Sequence, residues 1–230
     1  MKRIGVLGGM SWESSAGYYR LINQGVARRL GGYHSADMVM VSVDFEPIER
    51  MQREDRWNDA AQLLGDAADS CERAGAEILL LATNTMHLVF DELERRTSAP
   101  WIHIADPTGR AARAAGARVV GLLGTSFTME QAFYRERLEK RYGLRVVVPE
   151  THDRELVHGV IFDELVKGIV RDESRAAYSR VAGHLVDMGA EAVILGCTEI
   201  GMLLGDEDVP VPALDTTVLH AEAAVERALA

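Results

Sequence analysis

Two short stretches of the chain combine an apolar run with residue types that can move a proton. LLLATNTMH ends at His87 and carries Thr83 where the apolar run breaks, and VILGCTEIG ends at Gly201 and carries Cys197 at the matching place. A thiol has a pKa of about 8.5, which backbone N–H groups or a helix N-terminus can lower. We therefore interpret Cys197 as a candidate proton-transfer group and Thr83 as its weaker counterpart.

The elements that must position these turns are short apolar runs alternating with longer amphipathic segments. The runs are rich in Val, Ile and Leu with little alternation, which is typical of strands buried on both faces. Segments with helical spacing lie between them and end at glycines. This alternation predicts an α/β fold with parallel sheets flanked by helices. The predicted strands are 4–7, 38–43, 77–82, 101–104, 118–123, 145–148 and 192–195, and predicted helices include 58–75, 174–189 and 217–229.

An internal repeat indicates that the fold is duplicated. RAGAEILLLATNT resembles DMGAEAVILGCTE, RIGVLGGM resembles VVGLLGTS, and PWIHIADPT resembles PVPALDTT, in the same order and about half a chain apart. Three ordered matches predict two similar lobes related by pseudo-twofold symmetry, residues 1–105 with 215–230 and residues 106–214. Ligands bind beyond the carboxyl ends of parallel strands. We therefore expect a site in the cleft between the lobes, with Thr83 and Cys197 on opposite sides of it.

Groups on two sides of a ligand suit the inversion of a carbon acid, in which one group removes a proton and the other delivers one. The residues after Cys197 and after Thr83 are typical of a helix start, so backbone N–H groups should point toward both side chains. The same N–H groups, with the side chains of Asn84 and Thr85, are candidates to hold a substrate carboxylate.

Four motifs, GVLGGMSWES, ATNTMH, LLGTSFTM and LGCTEIG, together resemble the aspartate/glutamate/hydantoin racemase superfamily. The resemblance spans essentially the whole chain and is strongest to the aspartate/glutamate racemase branch, which includes broad-specificity bacterial amino-acid racemases. It implies two α/β lobes, a catalytic pair at Thr83 and Cys197, no cofactor such as pyridoxal phosphate, and commonly a homodimer. The residues that it places near the bound amino acid are Met10, Gln52, Asn84, Thr85, Thr198 and Glu199. Thr125, which follows the second-lobe glycine, is a further candidate for a substrate contact.

The chain departs from the family at Thr83, because members usually carry cysteine at both catalytic positions. An alcohol ionises roughly 6 pKa units above a thiol, so forming its anion would cost about 8 kcal/mol more. We therefore predict that Cys197 is the main base and that Thr83 is a proton donor or a conduit for water. One enantiomer should then exchange its Cα proton with solvent faster than it racemises.

Other polar residues receive structural or open interpretations. Cys71 lies on a helical apolar stripe and is predicted to be core, while His87 either supports the site or is structural. The stretch EPIERMQREDRW is interpreted as a solvated loop or, by the resemblance, as a lid with Gln52 facing inward. We interpret Asp106 and Asp215 as helix caps, and Asp44 as the cap of a turn in preference to a residue that orients the first-lobe site. His103 and His220 are interpreted as packing or surface residues. The alternative receptors for a side-chain carboxylate are Arg50, Arg53, Lys167 and Arg171.

Composition and motifs narrow the function classes. The formal net charge of -10 disfavours nucleic acid or an anionic membrane surface as partners. The two cysteines lack metal-ligand spacing, so neither a disulfide framework nor a structural metal is expected. GVLGGM lacks the spacing of a dinucleotide-binding motif. The N-terminal apolar run is too short for a signal peptide, and no stretch approaches the ~20 residues of a membrane span. A cytoplasmic, soluble protein that binds a small molecule is expected.

Three functions remain open at this point. The first is a cofactor-independent racemase for aspartate, glutamate or a related polar amino acid. The second is a single-cysteine decarboxylase or a cis–trans isomerase of the same superfamily, which resemble arylmalonate decarboxylase and maleate isomerase. The third is a non-catalytic ligand-binding protein, since two α/β lobes around a cleft also describe small-molecule sensors.

Overall fold

The computed structural model describes all 230 residues, and the chain divides into two compact units. The first unit comprises Met1–Ile104 with His220–Ala230, and the second comprises Ala105–Leu219. Each unit contains one four-stranded parallel sheet flanked by helices. The strand order in the first unit is β2 (Met38–Ser42), β1 (Ile4–Gly8), β3 (Ile78–Leu81) and β4 (Trp101–Ile102), and in the second it is β6 (Arg145–Val147), β5 (Val119–Gly124), β7 (Ala192–Gly196) and β8 (Ala213–Asp215). The prediction of two similar α/β lobes is therefore confirmed.

The first unit builds its sheet from four strands whose central pair is buried. Its elements are β1 (Ile4–Gly8), α1 (Trp12–Leu30), β2 (Met38–Ser42), α2 (Phe45–Arg53), α3 (Trp57–Arg73), β3 (Ile78–Leu81), the 3-10 helix Thr85–Val89, α4 (Phe90–Arg96) and β4 (Trp101–Ile102). Successive side chains of β3 point to opposite faces of the sheet. Ile78 packs in a cluster with α1, whereas Leu79 packs in a cluster with α3. Both faces of the strand are thus covered, which explains its unbroken apolar sequence.

The second unit repeats the same strand order with different helices. Its elements are α5 (Ala105–Ala114), β5 (Val119–Gly124), α6 (Ser126–Glu130), α7 (Ala132–Tyr142), β6 (Arg145–Val147), α8 (Thr151–Asp163), the 3-10 helix Leu165–Lys167, α9 (Asp172–Asp187), β7 (Ala192–Gly196), α10 (Ile200–Leu203), the 3-10 helix Asp206–Asp208, β8 (Ala213–Asp215) and α11 (Thr216–Leu229). Helix α11 begins in this unit, and its residues from His220 onward belong to the first unit.

Glycines allow the central strands of the second unit to end in close contact. Gly124 pairs with Gly196 in the parallel register of β5 and β7. A Cβ atom on either glycine would lie 2.8 Å from a backbone carbonyl oxygen of the facing strand. The strand ends that carry Thr125 and Cys197 therefore require glycine immediately before both residues.

The mixed-charge stretch after β2 was interpreted as a solvated loop or as a lid with Gln52 facing inward, and the interpretation as a loop is wrong. It forms α2 and the start of α3. Asp44 caps α2, because its side chain accepts a hydrogen bond from the Glu46 amide at 3.3 Å. Ile48 and Gln52 are buried, whereas the charged residues lie on the other side of the helix. The spacing of these two residues was the helical signal that the many charges obscured.

Two aspartates that were predicted to cap helices behave differently. Asp215 accepts hydrogen bonds from the backbone amides of Thr217 and Val218 at 2.8 and 3.2 Å, which confirms the cap. Asp106 instead lies inside the first turn of α5 and forms ion pairs with Arg137 at 2.7 Å and with Arg141 at 3.0 Å. Burial alone would raise the pKa of Asp106, but these arginines hold it below its ordinary value.

None of the helices is both long and apolar enough to cross a membrane. Cys71 is fully buried, and burial raises the pKa of its thiol to about 11. The prediction that Cys71 is a core residue is therefore confirmed.

Candidate active site

The first turn places Thr83 directly after β3. The Ala82 amide donates to the Leu7 carbonyl oxygen at 2.9 Å, which continues the β1–β3 pairing by one residue. Thr83 is 7% exposed, and its amide donates to the Leu81 carbonyl oxygen at 2.9 Å. Its hydroxyl group is thus mounted at the carboxyl ends of the two central strands, where parallel sheets place ligand sites.

Several predicted site residues of the first unit are buried around this turn. Asn84 and Thr85 follow Thr83 at the start of the 3-10 helix and are 2% and 6% exposed. Gln52 reaches the turn from α2, because its Nε2 atom lies 3.0 Å from the Met86 sulfur. Met10 packs in the same apolar cluster as Met86. The structure therefore brings this part of the predicted set together within one lobe.

His87 fastens the Thr83 turn to the rest of the first unit. Its Nδ1 atom lies 2.7 Å from the Thr83 carbonyl oxygen, and its Nε2 atom accepts a hydrogen bond from the Ile104 amide at 3.1 Å. The sequence left open whether His87 is structural or supports the site. His103 and His220, which were interpreted as packing or surface residues, are both buried, and their rings lie 4.4 and 6.3 Å from that of His87.

The second turn places Cys197 directly after β7 with an acidic partner. The Cys197 thiol donates a hydrogen bond to the Glu199 carboxylate at 3.0 Å, and the Thr198 hydroxyl donates to the same oxygen at 2.8 Å. Cys197 is 8% exposed and Glu199 is 2% exposed. The three side chains named from the sequence therefore form one hydrogen-bonded group, in which the carboxylate binds the thiol.

The pKa of Cys197 is raised well above its ordinary value, contrary to the sequence-based expectation that it is lowered. Burial is the largest cause, followed by the negative charge of Glu199. The expected backbone donors are present, since the amides of Thr198 and Glu199 both lower the pKa of the thiol. Their effect is smaller than that of burial and the neighbouring carboxylate, so the resting side chain is the thiol.

Thr125 begins α6 beside the second turn. Its hydroxyl oxygen accepts a hydrogen bond from the Thr128 amide at 3.3 Å, which caps the helix. His158 supports the start of α6, because its Nδ1 atom accepts a hydrogen bond from the Ser126 amide at 3.2 Å. Sequence reasoning missed His158, and its separation along the chain from Ser126 left no local signal.

The four cationic residues proposed as carboxylate receptors, Arg50, Arg53, Lys167 and Arg171, are exposed. Two of them already have carboxylate neighbours: Arg53 lies 3.7 Å from Glu49 and Arg171 lies 3.6 Å from Glu164. No group of three or more His, Cys, Asp or Glu side chains is arranged to hold a metal ion.

A family model of the Asp/Glu/hydantoin racemases matches residues 7–224. The chain belongs to this family. It is accordingly an isomerase of the racemase type, which confirms the family and the enzyme class predicted from the sequence.

The similarity to relatives of this racemase spans its whole length. The broad-specificity amino-acid racemase RacX of Bacillus subtilis is 22% identical over 228 residues, which cover 99% of this chain and 98% of RacX. The crystal structure of a candidate Asp/Glu racemase from Yersinia pestis is 48% identical, with a TM-score of 0.92 and complete coverage of both chains. That of an aspartate racemase homologue from Pyrococcus horikoshii is 34% identical, with a TM-score of 0.84 and complete coverage of both.

Proposed function

We propose that this racemase interconverts the L and D forms of aspartate, glutamate or a related polar amino acid without a cofactor. Cys197 serves one face of Cα and Thr83 the other, in the shared cleft that the repeat predicts. The observation that carries the proposal is the 3.0 Å hydrogen bond from the buried Cys197 thiol to the Glu199 carboxylate. The substrate class follows the relatives, which are named as a broad-specificity amino-acid racemase, a candidate Asp/Glu racemase and an aspartate racemase homologue.

Glu199 resolves the problem that the resting thiol is protonated. Its carboxylate accepts the thiol proton, so an S–H bond breaks, an O–H bond forms and the pair keeps a single negative charge. The amides of Thr198 and Glu199 stabilise the resulting thiolate. The thiolate then removes the Cα proton, which regenerates the thiol and leaves a carbanion beside the substrate carboxylate. Transfer of this kind by a positioned side chain contributes roughly 10²–10⁴-fold to a rate.

Thr83 completes inversion by delivering a proton to the opposite face of the carbanion. An alcohol releases its proton far less readily than a thiol, so the hydroxyl draws on solvent to replace the proton that it gives. The Cys197 face therefore removes and returns a proton faster than the Thr83 face supplies one. Proton exchange with retention should exceed inversion for the enantiomer whose Cα proton faces Cys197.

The test incubates each enantiomer of aspartate and of glutamate in deuterated water. Loss of the Cα proton is followed by NMR, and inversion is followed by chiral chromatography. We expect one enantiomer to exchange faster than it inverts. Thr83→Cys should raise the inversion rate, whereas the matched variant Thr83→Ser keeps an alcohol and should retain the asymmetry. Equal rates of exchange and inversion for both enantiomers, or no response to Thr83→Cys, would contradict the assignment of Thr83 to the second face.

A further inference from the structure

We propose that His87 is a positioning residue that holds the Thr83 turn in place through one fixed, neutral tautomer. The inference deepens the proposed function and rests on it in one respect, namely that Thr83 serves one face of Cα. In this proposal the His87 ring does not bind the substrate and acts only through the backbone of the Thr83 turn.

The two hydrogen bonds of the His87 ring leave only one arrangement of protons. The carbonyl oxygen of Thr83 can only accept, so the Nδ1 atom, 2.7 Å away, carries a hydrogen and donates it. The backbone amide of Ile104 can only donate, so the Nε2 atom, 3.1 Å away, is the unprotonated acceptor. A second proton on the ring would face the Ile104 N–H group and break that bond. His87 is therefore neutral wherever both bonds exist.

This ring takes the place of a backbone donor at the Thr83 turn. The His87 amide donates to the Asn84 carbonyl oxygen at 3.0 Å, in the short-range pattern of a 3-10 helix. The Thr83 carbonyl oxygen thus accepts a hydrogen bond from the His87 side chain and not from the His87 amide. Through Ile104 the same ring ties the end of β3 to the chain segment after β4. The orientation of the Thr83 backbone depends on both bonds.

Packing holds the ring in the orientation that both bonds require. His87 is 3% exposed, and its ring stacks on that of Phe90 with centroids 5.3 Å apart and planes 7° apart. A buried, stacked ring has little freedom to rotate away from its partners. The geometry therefore resembles the histidine of a metal site or catalytic triad, in which a second hydrogen bond selects the tautomer.

Of the two other histidines whose rings lie near His87, His220 tolerates a second ring proton where His87 does not. The ring of His103 lies 4.4 Å away and that of His220 lies 6.3 Å away. His220 donates from Nε2 to the Ile102 carbonyl at 2.7 Å, and its Nδ1 atom lies 2.8 Å from the Tyr18 hydroxyl. A hydroxyl both donates and accepts, so that bond survives either charge state of His220. The constraint to a single tautomer therefore applies to His87 but not to His220.

Two substitutions separate positioning from simple packing. His87→Phe keeps an aromatic ring for stacking but removes both hydrogen bonds. His87→Gln offers one amide donor and one amide acceptor and cannot gain a proton. If His87 positions Thr83, the phenylalanine variant should lose inversion while Cα exchange on the Cys197 face persists. A displacement of about 1 Å at a reacting group costs up to about 10²-fold in rate, so we expect the ratio of inversion to exchange to fall at least tenfold. The glutamine variant should recover much of that ratio.

The tautomer is measured independently by NMR of ¹⁵N-labelled histidine, with the His87 signals assigned by their absence in His87→Gln. At neutral pH we expect a protonated Nδ1 and an unprotonated Nε2. His152→Gln, at an exposed histidine, is the matched control and should change neither readout. Protonation at Nε2, an unchanged ratio in folded His87→Phe, or an equal fall of exchange and inversion would overturn the inference. If His87→Phe does not fold, the pH dependence decides: a ratio that falls toward acid pH in the wild type but not in His87→Gln supports the inference, and the same pH profile in both proteins overturns it. Absence of both exchange and inversion in the wild type would instead refute the proposed function. The tautomer measurement would still test whether His87 holds the Thr83 turn through a single neutral tautomer.

Discussion

Glu199 exerts two opposing effects on Cys197, and the substitution Glu199→Gln separates them. The carboxylate lies 3.0 Å from the sulfur, so it disfavours the thiolate while accepting the thiol proton. At an effective dielectric constant of about 20, two like charges at that distance repel each other by roughly 5 kcal/mol. Glutamine removes the charge but keeps nearly the same shape and a carbonyl oxygen that can accept the thiol hydrogen bond.

We expect Glu199→Gln to lower the pKa of Cys197 and to slow the enzyme at the same time. The pKa falls because the carboxylate charge is one of the causes that raise it. Cα exchange on the Cys197 face should nevertheless fall by roughly 10²-fold or more, since the amide cannot take up the thiol proton. The pKa is read from the ultraviolet absorbance of the thiolate during a pH titration, with Cys197→Ser as the blank. Exchange is read by NMR in deuterated water.

A lower Cys197 pKa together with slower Cα exchange would distinguish Glu199 as a proton acceptor from Glu199 as a charge that only suppresses the thiolate. If Glu199 only suppressed the thiolate, the substitution would speed up exchange at neutral pH, because more thiolate would be present. Faster or unchanged exchange would therefore refute the role of Glu199 as acceptor, and an unchanged pKa would refute the charge interaction. Glu222→Gln, at an exposed position of α11, is the matched control and should alter neither quantity.

Two further predictions concern the turns and their supports. Gly9→Ala should lower the free energy of unfolding, measured by urea titration, by about 3 kcal/mol, because φ is +98° there and the new Cβ would lie 2.1 Å from the Val43 carbonyl oxygen. The control is Gly17→Ala, where no atom lies within 4 Å of the new Cβ. This substitution should raise the free energy of unfolding by about 0.5–1 kcal/mol. Burial lowers the pKa of His158 below its ordinary 6.5, so the unfolded chain binds the extra proton first and stability should decline as pH falls from about 6.5 toward the lowered value. His158→Gln should flatten that part of the urea stability–pH curve, and an unchanged slope would contradict the lowering of the His158 pKa by burial.

The duplicated topology could be predicted because the repeat and the strand composition are properties of the sequence itself. β8 shows the limit of strand composition. Ala213–Asp215 is too short to stand out as a strand, although the repeat aligned it with β4, which holds the same place in its own sheet. The helix α2 was missed for the opposite reason, since charge composition outweighed the spacing of its two buried residues.

The residue types of the candidate site could be predicted, but their bonds could not. Cys197 and Glu199 are adjacent enough in sequence to be proposed together, yet only the geometry shows the thiol donating to the carboxylate. The pKa direction of Cys197 was wrong because burial was not counted against the backbone donors. His158 and Asp106 bind groups far away along the chain. Such pairs depend on how the helices pack, which no local pattern encodes.

The repeat also explains why the two turns differ at more than one position. Thr83 aligns with Cys197, and Thr85 aligns with Glu199. A carboxylate is a useful acceptor for a thiol proton but not for that of an alcohol, whose pKa approaches that of water. A hydroxyl at position 83 therefore gains nothing from a carboxylate at 85, and the first turn is instead held through its backbone by the neutral ring of His87. Thr83→Cys supplies the thiol without an acceptor, so the inversion rate should rise by less than a complete second Cys–Glu pair would allow.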